Sequence, residues 1–396
     1  MEVFEGQTFS LDDDDRRYIA EKVGGCLERR EIGWAINRLV GHLYLPSGDT
    51  LRIRSAKATN ASILSWLAYA DPTLRSLRVI GRLPAATDVG DLAAVIARLF
   101  LRELLNAAAR HGLMRRYARA QVRTSVVRGR IDFSRLARTG GDLSRIPCTV
   151  WERLPETPLN RFLAAAVSCV SHDKVMRDAC TSELPQAFSL IGGVRPGVSP
   201  SLLSGRTPLP RNEQGFEAVC ALARLILRNT ALSEGSTHAG IAFLLNLETL
   251  FERTISRAFQ EAGVHTLPQA PVRYSRLTSV NNPGAIGTGA MYMDVYCPDV
   301  AGGSVVVDAK YKTAVSSGIL QQMVTYCFLT GARRGVLVFP AGHLQDRRSY
   351  RFAGGGHRDG DFVRIDLAEL ATDASDVPGW REAAKCLVAS VLENTG

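Results

Sequence analysis

The spacing of apolar and polar residues changes along the chain, and these changes predict the secondary structure. Apolar residues three and four positions apart predict helices over 92–111, 243–259 and 319–329. Segments rich in β-branched and aromatic residues predict strands in the C-terminal region: 272–274, 290–297, 304–311 and 335–339. Strands and helices that alternate in this way are typical of an α/β unit.

Prolines and glycines are concentrated in one stretch that marks a candidate boundary. Residues 190–212 contain four prolines and four glycines, the strongest loop signal in the chain. We therefore expect an α+β N-terminal domain over 1–175, a helical and Pro/Gly-rich connector over 176–235, and an α/β domain over 236–396.

The composition is that of an ordinary globular protein. With 396 residues, of which 46% are apolar, the chain is long enough for two or three domains. No apolar run reaches the roughly 18 residues of a membrane helix, so we expect no membrane association. The acidic N-terminal segment is unlike a secretory signal. Eight cysteines without a C-x-x-C pair favour reduced thiols in a cytoplasmic protein.

Positive charge is distributed unevenly. Residues 101–161 hold thirteen arginines and five acidic residues, a net charge of +8, while the whole chain carries +9. Such an excess suits phosphates or an acidic partner surface, although a solvated helical face would explain it equally well. Only six of the 48 basic residues are lysine. A lysine retained in such a chain indicates a position where a compact ammonium is needed.

The candidate chemistry lies in residues 291–312, which are predicted to form a hairpin. Folding this segment about position 301 places Asp294 opposite Asp308. Side chains alternate along a strand, so Asp308 and Lys310 share a face, and cross-strand partners lie about 5 Å apart. Asp299 is an alternative to Asp294, since Pro298 and Asp299 resemble half of a nuclease motif. We prefer Asp294 because Asp299 falls in the turn.

Two carboxylates this close repel each other unless a cation lies between them. A hard divalent ion that prefers oxygen ligands, Mg²⁺ or alternatively Mn²⁺, would serve, with Asp294 and Asp308 as its ligands. Such a metal activates water, and Lys310 would balance charge on a phosphoryl oxygen. The set therefore fits phosphodiester hydrolysis. The alternative is an exposed strand end with a surface ion pair.

Two neighbouring helices offer accessory side chains. Glu248 and Glu252 are four residues apart and share a helix face. Either could reach the metal, or both could belong to an ordinary polar stripe. Gln322 lies one turn before Tyr326 and could face the site, although packing explains Tyr326 equally well. The chain has no G-x-x-x-x-G-K-[ST] motif, so we expect no nucleotide binding through a P-loop.

Several segments, in order over residues 40–330, resemble McrC, the endonuclease subunit family of the McrBC modified-cytosine restriction system. In the C-terminal half the matching segments are NLETLFE, MDVY, VVVDAKYK and the Q-M-x-x-Y that begins at Gln322. In the N-terminal half they are GDTLRIRSAKATNASILSWLAYA, HGLMRRYARAQVRTSVVRGRIDF and ERLPETPLNRFLAAAV. Each match alone is weak, but the ordered set is specific.

The resemblance implies a restriction-endonuclease-like C-terminal domain, with a mixed sheet flanked by helices. Asp294, Asp308 and Lys310 match the catalytic residues of the PD-(D/E)xK signature. The N-terminal domain would dock on a hexameric ring of McrB-like AAA+ GTPase subunits and stimulate GTP hydrolysis. The partner would recognise the double-stranded DNA, with its modified cytosine. Two positions depart from the family pattern: Met293 replaces a usual proline, and Ile319 replaces a frequent acidic residue.

We therefore expect a Mg²⁺-dependent DNA endonuclease subunit that works within a GTPase-driven restriction complex. One alternative is an interaction subunit that activates the AAA+ ring and carries a decayed nuclease domain. The other is a self-sufficient DNA nuclease.

Overall fold

The computed structural model describes most of the chain. The described residues are 1–74, 91–231, 242–279, 282–300, 303–312, 314–342, 349–353, 362–374 and 376–393. Over 272–290 the description covers the backbone.

The helices and strands follow one another from the N-terminus. The first 92 residues contain β1 (Glu2–Phe4), β2 (Thr8–Phe9), α1 (Asp13–Val23), β3 (Leu27–Arg29), β4 (Trp34–Ile36), β5 (Leu39–Tyr44), β6 (Thr50–Arg54) and α2 (Asn60–Ala70). The middle of the chain contains α3 (Leu92–His111), β7 (Arg116–Thr124), β8 (Arg130–Ile131), α4 (Phe133–Arg138), β9 (Ile146–Leu154), α5 (Pro158–His172), α6 (Lys174–Ala179), α7 (Glu183–Ile191), α8 (Pro200–Ser204), α9 (Glu217–Asn229) and β10 (Thr230–Ala231). The C-terminal part contains β11 (Ala242–Asn246), α10 (Leu247–Glu261), β12 (Leu267–Ser279), β13 (Asn282–Val300), β14 (Gly303–Ala309), α11 (Ser317–Thr330), β15 (Arg334–Pro340), β16 (Tyr350–Ala353), β17 (Phe362–Leu370) and α12 (Val377–Glu393).

The predicted helices are confirmed with one change at a helix start. The helix predicted over 243–259 begins later, because residues 242–246 form β11. The side chain of Asn246 accepts a hydrogen bond from the backbone N–H of Thr249 and so caps α10. Helix α11 is capped in the same way by Ser316 and ends at Gly331, whose φ of +71° suits glycine.

Contacts divide the chain into two compact units. One unit combines Met1–Leu92 with Leu244–Gly396, and the other is Ala93–Phe243. This division differs from the expected three regions. The first 92 residues pack with the C-terminal part, and the expected connector, 176–235, includes the largely buried helix α9 of the second unit. High proline and glycine content marks loops, but it does not reveal which segments pack together.

Buried aromatic side chains hold the two parts of the first unit together. Trp66 of α2 is fully buried and stacks on Trp380 of α12, with ring centroids 5.1 Å apart. The ring of Phe251 on α10 meets Trp66 edge-on at 6.1 Å. The Trp66 indole N–H donates to the Thr254 hydroxyl at 2.5 Å, which satisfies its one donor. Large apolar surfaces from three distant segments are therefore buried against one another.

The largest sheet of the first unit is mixed, as expected for the fold class. Its strand order is β12-β13-β14-β15-β17-β16. The β14–β15 and β15–β17 pairs are parallel, and the other pairs are antiparallel. Helix α11 packs on this sheet through Met323 and Cys327. A Cβ on Gly335 of β15 would lie 2.4 Å from the Met323 sulfur, so glycine permits this close approach.

A second sheet in the first unit contains the N-terminal strands in the order β1-β6-β5-β11. Strands β5 and β6 form an antiparallel hairpin around the Pro46–Asp49 turn. A small sheet of β2, β4 and β3 accompanies it.

The second unit contains buried helices and one exposed sheet. Helices α3, α5 and α9 supply its core, with Phe100, Phe162 and Phe216 among its fully buried side chains. Strands β7, β9 and β8 form an antiparallel sheet within the arginine-rich block. Tyr117 and Trp151 on this sheet are both more than 60% exposed. Among the helices in the described residues, none combines the length and the apolar character that a bilayer crossing requires.

Replacing Trp66 by alanine should lower the unfolding free energy of the full-length chain by about 3–5 kcal/mol, because it opens a cavity between three helices. Phe328→Ala is the matched control, since Phe328 lies on α11 of the same unit and is 78% exposed. That change should stay within about 0.5 kcal/mol of the parent. Urea unfolding, monitored by circular dichroism, measures the unfolding free energy of both variants. Equal effects of the two changes would contradict this account of the core.

Candidate active site

The predicted hairpin register is confirmed by the pairing of β13 with β14. Val295 pairs with Val307, and Cys297 pairs with Val305. Both pairs are centred on position 301, so Asp294 and Asp308 are the next residues in the same register. The two aspartates therefore lie together where the paired segment ends.

Asp294 is held by hydrogen bonds to both of its carboxylate oxygens. The backbone N–H of Ala309, which would otherwise continue the strand pairing, donates to Asp294 Oδ2 at 2.8 Å. The side-chain amide of Gln269 donates to Asp294 Oδ1 at 3.2 Å. Asp294 is also buried, with a relative exposure of 9%. The two hydrogen bonds therefore fix its carboxylate at the point where the strands separate.

Lys310 connects Asp308 to helix α11. Its Nζ lies 2.5 Å from Asp308 Oδ2 and donates to Gln322 Oε1 at 3.1 Å. The amide nitrogen of Gln322 donates to the Tyr326 hydroxyl, which in turn donates to the carbonyl oxygen of Tyr292. The structure thus brings Gln322 to the lysine, and Tyr326 serves both packing and this hydrogen-bond chain.

The site carries more negative charge than its single ammonium can balance. Burial, followed by repulsion from Asp308, raises the pKa of Asp294 to about 6. Burial also raises the pKa of Asp308, although Lys310 opposes this. Burial, followed by the charges of Asp294, Glu248 and Asp308, raises the pKa of Glu252 to about 7. These shifts show that bringing the carboxylates together without a further cation is unfavourable.

The two glutamates of α10 have different surroundings. Glu248 Oε2 accepts a hydrogen bond from Arg38 Nη1 at 2.9 Å, so its charge is paired. Glu252 lines a pocket of about 500 Å³ together with Asp294 and Gln269. Of the two, Glu252 is therefore the one placed to assist at the aspartates.

Asp299 is separated from this chemistry by its own contacts. Its side chain is 77% exposed and lies 3.2 Å from His265 Nδ1. The preference for Asp294 over Asp299 thus agrees with the geometry.

The donor set suits a hard divalent cation. Within the described ranges, no group of three His, Cys, Asp or Glu side chains is close enough together to hold a metal. Asp294 and Asp308 would be the carboxylate ligands, and water would complete the shell, since Mg²⁺ usually keeps several waters. The two carboxylates provide hard oxygen donors without a thiolate, and their unbalanced charge favours a cation.

Gln269 was not found from the sequence. The pairs Pro268–Val295 and Ala270–Met293 place it directly opposite Asp294 on the neighbouring strand. Its φ of +49° is unusual for a residue other than glycine, and such backbone strain is concentrated at functional sites. The signal that would have found it is the register between β12 and β13, which the local pattern around residue 269 does not contain.

Comparisons with known proteins identify a family and similar solved structures. A family model described as McrBC 5-methylcytosine restriction system component matches residues 35–340. A chain of the Thermococcus gammatolerans assembly of McrB AAA+ hexamers with bound McrC is similar, with a TM-score of 0.58 at 17% identity over 99% of each chain. A chain of a Thermococcus gammatolerans McrBC complex gives 0.42 at 17% identity, covering 68% of this chain and 89% of that one. No curated protein matches. The first structure shows a shared fold.

Glu252→Gln should stabilise the metal-free chain at pH 8 relative to the parent, and this gain should vanish near pH 4. The folded pKa of about 7 exceeds the ordinary 4.5, so the parent loses stability as the pH rises between these values. Because Glu252 is partly exposed, screening reduces the expected gain to about 1 kcal/mol. Urea unfolding in chelator across this pH range measures it.

Glu248→Gln provides the matched control one helical turn earlier. It removes the ion pair with Arg38 and should destabilise the chain at pH 8. A difference between Glu252→Gln and the parent that stays constant from pH 4 to pH 8 would show that the pKa of Glu252 is not raised in the folded chain.

Proposed function

The chain belongs to the family of McrBC 5-methylcytosine restriction system components, and on this basis we propose that it is the DNA-cleaving subunit of a GTP-dependent restriction complex. The observation that carries the proposal is the cluster of Asp294, Asp308 and Lys310 where the pairing of β13 and β14 ends. Two buried carboxylates beside an ammonium match the chemistry of metal-dependent phosphodiester hydrolysis.

The side chains of the cluster take distinct roles in this proposal. Asp294 and Asp308 would hold Mg²⁺, or Mn²⁺ in its place, and the bound ion would supply Lewis acidity and an activated water. Lys310, held by Gln322, would neutralise the charge that develops on the scissile phosphate. Glu252, with a pKa of about 7, is suited to accept a proton near neutral pH. Gln269 and the Ala309 N–H keep Asp294 oriented.

We propose a McrB-like AAA+ GTPase hexamer as the partner. The similar Thermococcus gammatolerans structure holds McrC bound to such hexamers, and this chain lacks a P-loop of its own. The exposed sheet of the second unit, with Arg116, Arg119, Tyr117 and Trp151, offers cationic and aromatic side chains for docking. Recognition of modified cytosine in double-stranded DNA would belong to the partner, and the complex would act in the cytoplasm.

Asp294→Asn, Asp308→Asn and Lys310→Ala should each reduce cleavage of 5-methylcytosine-containing DNA at least about 100-fold, because each removes transition-state stabilisation. Asp299→Asn is the control and should cleave normally. Cleavage is measured in the complete complex with partner and GTP, and GTP turnover should remain unchanged.

Metal binding is tested separately with the chain alone. Mn²⁺ binding, monitored by electron paramagnetic resonance, should be lost in Asp308→Asn and kept in Asp299→Asn. Normal cleavage by the Asp308 variant would refute the assigned catalytic site. A parent chain that stimulates the GTPase but cleaves no DNA would be an activator with a decayed nuclease domain.

Reversing the charges of Arg115, Arg116 and Arg119 to glutamate should weaken stimulation of the GTPase. These exposed side chains belong to the block of net charge +8, and their contribution should fall as salt screens it. Glutamates at Arg17, Arg29 and Arg30, exposed on the other unit, provide the same change of charge as a control. Partner GTP turnover with each variant in excess decides the question. Equal loss in both variants would show a general effect of net charge.

A further inference from the structure

A polar stripe on helix α10 forms one wall of a pocket that contains Asp294. Residues three and four positions apart supply the stripe: Thr249, Glu252, Arg253, Ser256 and Gln260. The opposite face of the helix is buried, with Phe251, Ile255 and Phe259 in the core. The stripe is therefore more than a solvated face, since it encloses space next to a proposed catalytic carboxylate.

The other walls come from two separate segments. Pro268 and Gln269 of β12 line one side, and Ala70 and Pro72, which lie at and after the end of α2, line another. The volume is about 500 Å³. Thr249 and Gln260 are eleven residues apart, so the stripe extends about 16 Å along the helix axis. A pocket of this length can accommodate more than the single phosphate at the reaction centre.

Among the described residues, Arg253 contributes an unpaired positive charge to this wall of the pocket. It is exposed, and in the described part of the chain its guanidinium has no ion pair or hydrogen bond. Arg257, one turn later, is different because it pairs with Glu261 at 2.7 Å. Thr249, Ser256 and Gln260 add neutral hydrogen-bond donors, which together with arginine are the groups that contact nucleic-acid phosphates.

We infer that this pocket binds the phosphodiester backbone of the DNA strand beside the cleavage point, and that Arg253 contacts the phosphate next to the scissile one. The inference rests on the proposed nuclease function. Arg253 lines the same pocket as Glu252 and Asp294, so its contact would place the strand over Asp294 and Asp308. Its planar guanidinium can bind two phosphate oxygens at once, which a lysine cannot reproduce.

The test is single-turnover DNA cleavage by the full-length chain with its partner and GTP. Arg253→Ala should slow cleavage at subsaturating DNA about tenfold and lower the slope of log rate against log salt by about one. Arg253→Lys should restore the salt slope but only part of the rate. Partner GTP turnover and Mn²⁺ binding by the chain should not change. Arg29→Ala, an exposed arginine of the same unit outside the pocket, serves as the matched control.

The outcomes separate this inference from the proposed function. If the parent cleaves and Arg253→Ala cleaves equally well, the inference fails while the nuclease stands. A slower Arg253→Ala variant with an unchanged salt slope also overturns the phosphate contact, because the loss then has another cause. If the parent itself cleaves no DNA under any of these conditions, both fail.

Discussion

The burial of Trp66 among Trp380, Phe251 and Thr254 is the interaction on which the first unit depends. Phe251 and Thr254 lie on one face of α10, so this packing fixes the rotation of the helix and turns Glu252 toward Asp294. The same cluster includes Tyr311, the residue after Lys310, at 6.2 Å from Trp66. The Lys57 ammonium lies 4.1 Å from the Tyr311 ring. A single apolar cluster therefore positions both the helix and the strand end that form the site.

The site itself is unfavourable for folding in the absence of a cation. Burial raises the pKa of each carboxylate in the cluster, and one lysine compensates for only part of the charge. Gln269 adds backbone strain at its positive φ. The surrounding apolar core offsets these costs, which is the usual relation between a stable scaffold and a site arranged for chemistry.

The local sequence pattern predicts the β13–β14 hairpin, but it does not predict contacts between residues far apart in the chain. The alternation of residues 291–312 and the turn at their centre determine one register, and that register brings Asp294, Asp308 and Lys310 together. Gln269 depends on pairing with a strand whose register no local signal specifies. Trp66 and Trp380 stack although 314 residues separate them, so nothing near either residue predicts the contact. For the same reason the expected boundary near 176 did not coincide with a division between packed units.

The discontinuity of the first unit has a consequence during synthesis on the ribosome. Met1–Leu92 emerges before the residues after Leu244 that pack with it in the same unit. Trp380 is translated 314 residues after Trp66. At about 5–20 residues per second, the delay is roughly 15 to 60 s. During this interval Ala93–Phe243 is completed, while the nascent α2 still exposes the apolar surface that the mature protein buries. Until α12 leaves the exit tunnel, this apolar surface of the N-terminal segment is therefore open to non-native contacts.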